Sequence, residues 1–453
     1  MRTMEASSTR KNRNALLTHL LINRIGKPSL KAFLYAYLYL VLPKVIKAIV
    51  SAVKKGKYDR MIPRMKKTMV KALHPRKFPM FAASLITGIN VLEPLVYGLL
   101  RKTRFLKRPS SALFVSTLVS ALASALVTFP LFQSHVVGFG RYNSLDLTLL
   151  VATRALDTVF SSTLSNITPD GISKYGDALL FIISSTLVMF SWFYHPEKLP
   201  PAYSKWITSA ANMDPDFIEV LRLVRNKDLI YGQHGPYEDY LTPYFERYGR
   251  DPKGGNTVIN QPIDCEAVHA FQCKSCELHA LWRFWRGFKF AMTVYGPLNL
   301  FMLVFPSQVK TSTRLLRALK SSFRSSCFLG AFIGLYWYGV CLARTRLLPK
   351  MFPKISRTRF DDTICAASGA IMCGFSSFVE TAQRRKELAL FVAPRGLGAL
   401  VPSEPSKINL KIESFVFSIS LAILVAFSRN RSSSVRGIFG KGLKQIFNVH
   451  EYN

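Results

Sequence analysis

Residues 112–132 read ALFVSTLVSALASALVTFPLF. No charged residue interrupts the run. A helix rises ~1.5 Å per residue, so ~20 residues cross the ~30 Å hydrocarbon core of a bilayer. This stretch is long enough and apolar enough to do so. Ser116, Ser120 and Ser124 recur at every fourth position. Lipid supplies no hydrophobic drive for helix association, so such small-residue faces mark close backbone packing. The stretch predicts a membrane helix inside a bundle.

Similar windows lie on both sides of it. Upstream are LKAFLYAYLYLVLPKVIKAIV (30–50), interrupted by Pro43 and Lys44, and FAASLITGINVLEPLVYGLL (81–100). Downstream are windows at 145–164 and 177–194, a polar stretch from about 195 to 286, and further windows at 287–306, 327–343, 363–379, 387–400 and 412–428. The window at 387–400 is short for a span. The Pro43 window and the fourth window of each set are candidates for the membrane interface instead.

The two sets of windows read as copies of one another. LTLLVATRALDTV, from Leu147, aligns without gaps on LALFVAPRGLGAL, from Leu388. YAYLYL, from Tyr35, matches YGPLNL, from Tyr295. Small residues recur at matching places: Ser84 and Gly88 with Gly330 and Gly334, and Ser116, Ser120 and Ser124 with Ala366, Ala370 and Gly374. These are the expected helix-packing positions. If all five windows per copy span, the copies run in opposite senses, as in inverted-repeat transporters. Loop charge does not fix the orientation, because several windows are basic at both ends.

The predicted organisation is a basic N-terminal tail (1–28), a first membrane repeat (29–194), a polar connector with a Cys/His segment (195–286), a second membrane repeat (287–428) and a basic C-terminal tail (429–453). The fold class is an all-α polytopic membrane protein, two helical-bundle repeats joined by a mostly helical connector. The N-terminal residues MRTMEASSTRKNRN show no secretory signal.

Composition agrees. The chain has 453 residues, 49% of them hydrophobic, yet Lys+Arg number 61 against 26 Asp+Glu. Basic runs that alternate with spanning-length apolar windows point to anionic headgroups rather than nucleic acid. The densest run, KKGKYDRMIPRMKKTMVKALHPRK (54–77), places Met61, Ile62, Met65, Met69 and Leu73 at helical spacing. A basic helix on a membrane surface and a solvated helix packed on the bundle both fit it.

Charge inside the windows is rare. Arg154 and Asp157 stand three residues apart in the fourth window, and Arg395 occupies the place of Arg154 in the second set, with Gly398 in place of the acid. Intramembrane charges are costly and are usually paired or face a polar path. A structural ion pair or a snorkelling arginine is the simpler reading. In the connector, Asp214 or Asp216 is a plausible helix cap, and 232–255 reads as irregular. No phosphate loop, nucleophile elbow, dinucleotide fingerprint or HExxH motif is present, so no enzyme is predicted. The connector is expected to be solvated.

Seven cysteines in a chain of this length make no disulfide framework. Cys327, Cys341, Cys365 and Cys373 lie in apolar segments and read as small hydrophobes. The exception is CEAVHAFQCKSCELH (265–279), where Cys265, His269, Cys273, Cys276 and His279 are all donors for a soft metal such as zinc. On one continuous helix, 265, 269, 273 and 276 form a stripe about 16 Å long. Zinc bonds of ~2.0–2.3 Å cannot gather such a stripe onto one ion. A full site needs a chain reversal near Ala270 or a ligand from a second segment.

CEAVHAFQCKSCELHALWRFWRGFKFAMTVYGPLNL (265–300), SCFLGAFIGLYWYGVCLARTR (326–346) and LTLLVATRALDT (147–158) together resemble the transmembrane protein 135 family, peroxisomal membrane proteins, in its fungal branch. The resemblance covers about residues 30–430. The helix core is distantly similar to the mitochondrial Tim-type import translocases, with four Gly-faced helices in a curved bundle. This chain departs from the family's usual His-Pro at Ala270, and Cys273 is extra. The resemblance implies an organelle membrane protein without catalytic activity, assisting lipid or metabolite handling or organelle dynamics. It implies the peroxisomal membrane, or alternatively the mitochondrial one. The Tim-like core implies a translocase subunit or channel as the alternative. Expected partners are membrane lipids, other membrane proteins or a second copy, and no nucleic acid. No cofactor is expected other than zinc at the Cys/His segment.

Overall fold

The computed structural model describes residues 21–56, 61–103, 106, 108–137, 144–164, 170–304, 310–402, 404–431, 434–435 and 437–447. The expected terminal tails fall outside these residues for 1–20 and 448–453. So do Lys57, Asp59 and Arg60 of the basic run.

The described chain is helical throughout, without strands. Its helices are α1 (Lys27–Lys55), α2 (Met61–Ala72), α3 (Phe78–Lys102), α4 (Pro109–Val137), α5 (Leu145–Val159) and α6 (Asp170–Tyr194). The connector adds α7 (Pro201–Ala211), α8 (Pro215–Asn226), α9 (Thr242–Arg247) and the single turn α10 (Cys265–Val268). Then follow α11 (Cys276–Phe301), α12 (Thr311–Cys341), α13 (Cys365–Gly374), α14 (Ala382–Leu400), α15 (Lys407–Asn430) and α16 (Gly437–Phe447).

Local chemistry sets the boundaries. α3 starts with Pro79 in its first turn, where the missing N–H costs nothing. Asp214 caps α8 by accepting from Asp216 N at 3.1 Å, and Ser406 caps α15 by accepting from Asn409 N at 3.1 Å. Of the two aspartates considered, the cap is therefore Asp214.

Among the described residues, seven helical stretches are long and apolar enough to cross a membrane: Leu21–Val53, Phe78–Lys102, Pro109–Val136, Tyr175–Tyr194, Thr311–Met351, Arg357–Val379 and Lys407–Asn430. The protein is an all-α polytopic membrane protein. The windows at 145–164, 287–306 and 387–400 are not among the seven. α5 is only 15 residues long, and α11 carries Arg283, Arg286 and Lys289 before its apolar half.

The chain divides into two compact units that cut across the expected repeat boundaries. One holds residues 1–168 and 404–453, the other 169–403. In the first, helices neighbour one another in the order α1, α3, α4, α15, α5. In the second, the order is α11, α12, α13, α6, α14. The last helix of each expected copy thus packs in the unit that holds the other copy's first four helices.

The first unit is built on stacked aromatics. Phe129 and Phe417 rings lie 4.0 Å apart and Phe81 and Phe132 rings 4.7 Å apart. Its buried acids are satisfied. Glu93 accepts from Thr117 at 2.6 Å and pairs with Arg429 and Arg24, while Glu413 accepts from Gln133, Ser144 and Thr148 at 2.5, 3.1 and 2.9 Å. Buried ions need this pairing to persist.

In the second unit several small residues face neighbouring helices. An added Cβ at Gly330 would meet Phe284 O at 2.8 Å, and one at Gly334 would meet Ala280 O at 3.1 Å, so α11 lies against the Gly face of α12. Ala366, Ala370 and Gly374 sit on α13, with Thr186 donating to Ala370 O at 3.2 Å and Gly374 against Ile182 of α6. In the first unit Gly88 faces Ser124 of α4, and Ser84 is exposed. The charges picked out in the windows lie on helices that are not candidate spans. Arg154 and Asp157 are half-buried on α5. Arg395 on α14 stacks over Phe391 at 4.2 Å and Tyr203 at 5.7 Å.

The connector is not the solvated segment expected. Leu199, Ile207, Phe217, Val220, Leu229, Tyr244 and Ile263 are buried in one core with Phe328, Tyr336 and Trp337 of α12. Polar ties fasten it: Arg222 donates to Phe193 O at 2.8 Å, Arg225 to Thr363 at 2.8 Å, and Tyr231 to Asp361 at 2.6 Å. Its alternating apolar residues are the face of a folded layer on the second unit.

Candidate metal centre

The Cys/His segment does not continue as one helix. α10 ends after a single turn, and Ala270 (φ 52°) and Phe271 (φ 56°) take the left-handed conformation. Phe271 N donates to Glu266 O at 2.8 Å and Ala270 N to Ala267 O at 2.9 Å. These two bonds make a Schellman reversal, with alanine where glycine is usual. Left-handed geometry costs an L-residue about 1–2 kcal/mol. Packing holds it here: the Phe271 ring lies 5.2 Å from Phe245, 5.5 Å from Tyr248, and under Arg250 at 5.1 Å. Ser275 then caps α11, placing Cys276 in its first turn.

The reversal brings Cys276 back to Cys265, and α12 supplies a third thiol. Cys265 Sγ lies 3.6 Å from Cys276 Sγ and 3.8 Å from His269 Nε2. His269 Nε2 lies 3.4 Å from Cys341 Sγ. The four donor atoms all fall within 4.8 Å of one another. A tetrahedral zinc with bonds of ~2.3 Å to sulfur and ~2.0–2.1 Å to nitrogen has donor-to-donor edges of about 3.5–3.8 Å. Three of the six separations, at 3.4–3.8 Å, lie close to those edges, and the whole set stays within 4.8 Å. They also exceed by far the ~2.05 Å of a disulfide bond, and all three thiols are free.

The surroundings orient the donors. His269 Nδ1 sits 2.8 Å from Cys273 O and donates its proton there, which leaves the Nε2 lone pair facing the thiols. The His279 ring stacks on His269 at 4.1 Å, and its Nε2 accepts from Arg283 Nε at 3.0 Å. Burial, then the neighbouring His269, pushes His279 down to about 2, so its imidazole is neutral. Among the thiols, Cys265 is held well below the usual range, first by a hydrogen bond from Cys341 and then by His269 and Arg344. Burial, and the charge on Cys265, pushes Cys276 up. His269, Cys276 and Cys341 are buried, and Cys265 is half-buried.

A divalent ion with three thiolates carries one net negative charge. The nearby cations are Arg344, bound to Asp361 at 2.7 and 2.9 Å, and Arg346, which contacts Cys276 and pairs with Glu277 at 3.0 Å. Soft thiolates with one imidazole suit zinc.

Of the five residues expected as ligands, Cys265, His269 and Cys276 converge. Cys273 contributes only its carbonyl, and His279 only its ring face. Cys341 completes the set, in place of the inert apolar thiol predicted. Its position, immediately before the polar LARTR turn (342–346) that ends the helix's apolar run, is the signal in the sequence. No protein-family model, no curated protein and no solved structure matches this chain.

Proposed function

We propose that this chain is a non-catalytic protein of an organelle membrane, assisting lipid or metabolite handling or organelle dynamics, with a structural zinc ion that clamps its connector to the helix bundle. The observation that carries the non-catalytic reading is the closed donor set. Cys265, His269, Cys276 and Cys341 fill all four tetrahedral positions, whereas a catalytic zinc keeps one open for water or substrate. The clamp joins residues 265–276 of the connector to the end of α12. The peroxisomal membrane, with the mitochondrial one as alternative, rests on the resemblance carried by 265–300, 326–346 and 147–158. So does the lipid role. The matching neighbour orders of the two units support an internal duplication whose copies have exchanged their last helices.

The experiment has two arms. The purified chain is expected to carry about one zinc per molecule by elemental analysis, since four protein donors define one site. In cells, the tagged chain is expected at peroxisomes, and its deletion is expected to shift organelle lipid composition while matrix-protein import continues. Zinc at background level removes the clamp. Unchanged lipids with failed import replace the lipid role by the translocase reading.

A further inference from the structure

The first apolar stretch is too long for one crossing. Leu21–Val53 has 33 residues. At ~1.5 Å per residue it measures about 50 Å, against ~30 Å of hydrocarbon. α3 pairs with its first part only: Ser29 bonds Thr87 at 2.8 Å, Arg24 reaches Glu93 at 3.3 Å, and the Tyr39 ring sits 6.1 Å from Phe78, at the start of α3. α1 has a second neighbour, α2. α2 folds back along α1, with Tyr37 donating to Met69 O at 3.4 Å and Ala52 buried.

This helix pair has an unusual surface. Ile46, Val50 and Val53 on α1 and Ile62, Met69 and Val70 on α2 are all exposed. Among them lie the exposed cations Lys44, Lys47, Arg64, Lys66, Lys67 and Lys71. Between Pro43 and Lys77 the sequence holds a single acid, Asp59. Water does not favour so much exposed aliphatic surface, and the hydrocarbon core does not accept so many cations. The boundary between them accepts both, with aliphatic groups in the acyl region and cations at the headgroup phosphates.

We propose that the paired helical segments 43–56 and 61–73 are an interfacial lipid-binding element that selects anionic phospholipid headgroups. Pro43 lies inside α1 and removes one of its backbone hydrogen bonds. The inference goes beyond the zinc clamp and does not depend on it.

Hydrogen exchange on the full chain in nanodiscs tests it. Amides 61–73 are followed in phosphatidylcholine alone and with about 30% phosphatidylserine added, a charge density that gives a surface potential able to hold polybasic segments. Exchange is expected to slow about threefold or more with the anionic lipid at low salt. The R64Q/K66Q/K67Q/K71Q variant is expected to lose that difference while the amides of α15 keep wild-type rates, which shows that it folds. Equal exchange in both lipids, or a lipid difference that survives in the variant, overturns the proposal. Slowing that follows protein concentration rather than lipid charge assigns the face to a second copy and overturns it as well.

Discussion

The two compact units share one neighbour order and finish it differently. In the first, α1 meets both α3 and the basic helix α2. Only 11% of the most apolar window of Leu21–Val53 is buried. In the second, α12 is zipped to α11 through Gly330 and Gly334 and roofed by the connector. There 61% of the corresponding window of Thr311–Met351 is buried. The contrast teaches that one helical scaffold serves two ends. The first unit exposes aliphatic and cationic surface, for which we propose a lipid partner. The second unit uses its surface to hold a folded layer, and the candidate metal centre sits at that junction.

Perturbations of the roofed unit are therefore expected to cost more than equivalent ones in the basic helix pair. The largest effect is expected from Cys341→Ser. Of the four candidate donors it removes the one on α12, and structural zinc contributes about 10–16 kcal/mol of apparent binding free energy in small domains. Zinc content is expected to fall below half, and the thermal transition of the purified chain to drop by roughly 5 °C or more. Unchanged zinc content would break the contrast at its root.

Next comes Arg344→Ala. It strands Asp361, which also accepts from Tyr231 at 2.6 Å and so ties the connector to the bundle. Removing one partner of a buried pair costs about 3–5 kcal/mol. Denaturant titration, or protease sensitivity of residues 195–264, reads this loss. A cost below about 1 kcal/mol would show that the pair does not fasten the roof.

Gly330→Leu is expected to cost about 1–3 kcal/mol by overpacking, because a side chain there meets the Phe284 carbonyl, backbone that cannot swing away. Gly98→Ala is the control in the other unit, since nothing lies near that position. It is expected to stay within about 0.5 kcal/mol of the parent or to stabilise slightly. Equal effects at both glycines would remove the zipped-against-open distinction.

The smallest effect is expected at Cys273→Ser. Only the carbonyl of residue 273 serves the site, and a serine keeps it. Zinc stoichiometry and thermal transition are expected to match the parent. A loss of zinc there would move the ligand set back towards the CxxC pair.

Much of the fold is legible in the sequence because a bilayer demands ~20 apolar residues per crossing, and that demand is written in one dimension. The Gly face of α12 is legible for the same kind of reason: small residues four apart must share a helix face. The exchange of α6 and α15 between units is not, because helix neighbours depend on packing that no window records. The connector's docking is half legible. Its amphipathic helix is plain in PDFIEVLRLV, yet the partner of its apolar face is not. At the metal centre, the spacing alone excludes a one-helix site and requires a reversal or a second segment; the structure supplies both. Ala270 and Phe271 hide the reversal because neither is glycine, and tertiary packing of Phe271 imposes it. Cys341 hides because a thiol in an apolar run is usually only a small hydrophobe.

X-ray absorption at the zinc edge of the purified full-length chain tests the central claim most directly. The account predicts three sulfur neighbours at ~2.3 Å and one nitrogen at ~2.0–2.1 Å, with no oxygen ligand. Zinc absent from the purified chain, or a first shell containing water or fewer than three sulfurs, would contradict it.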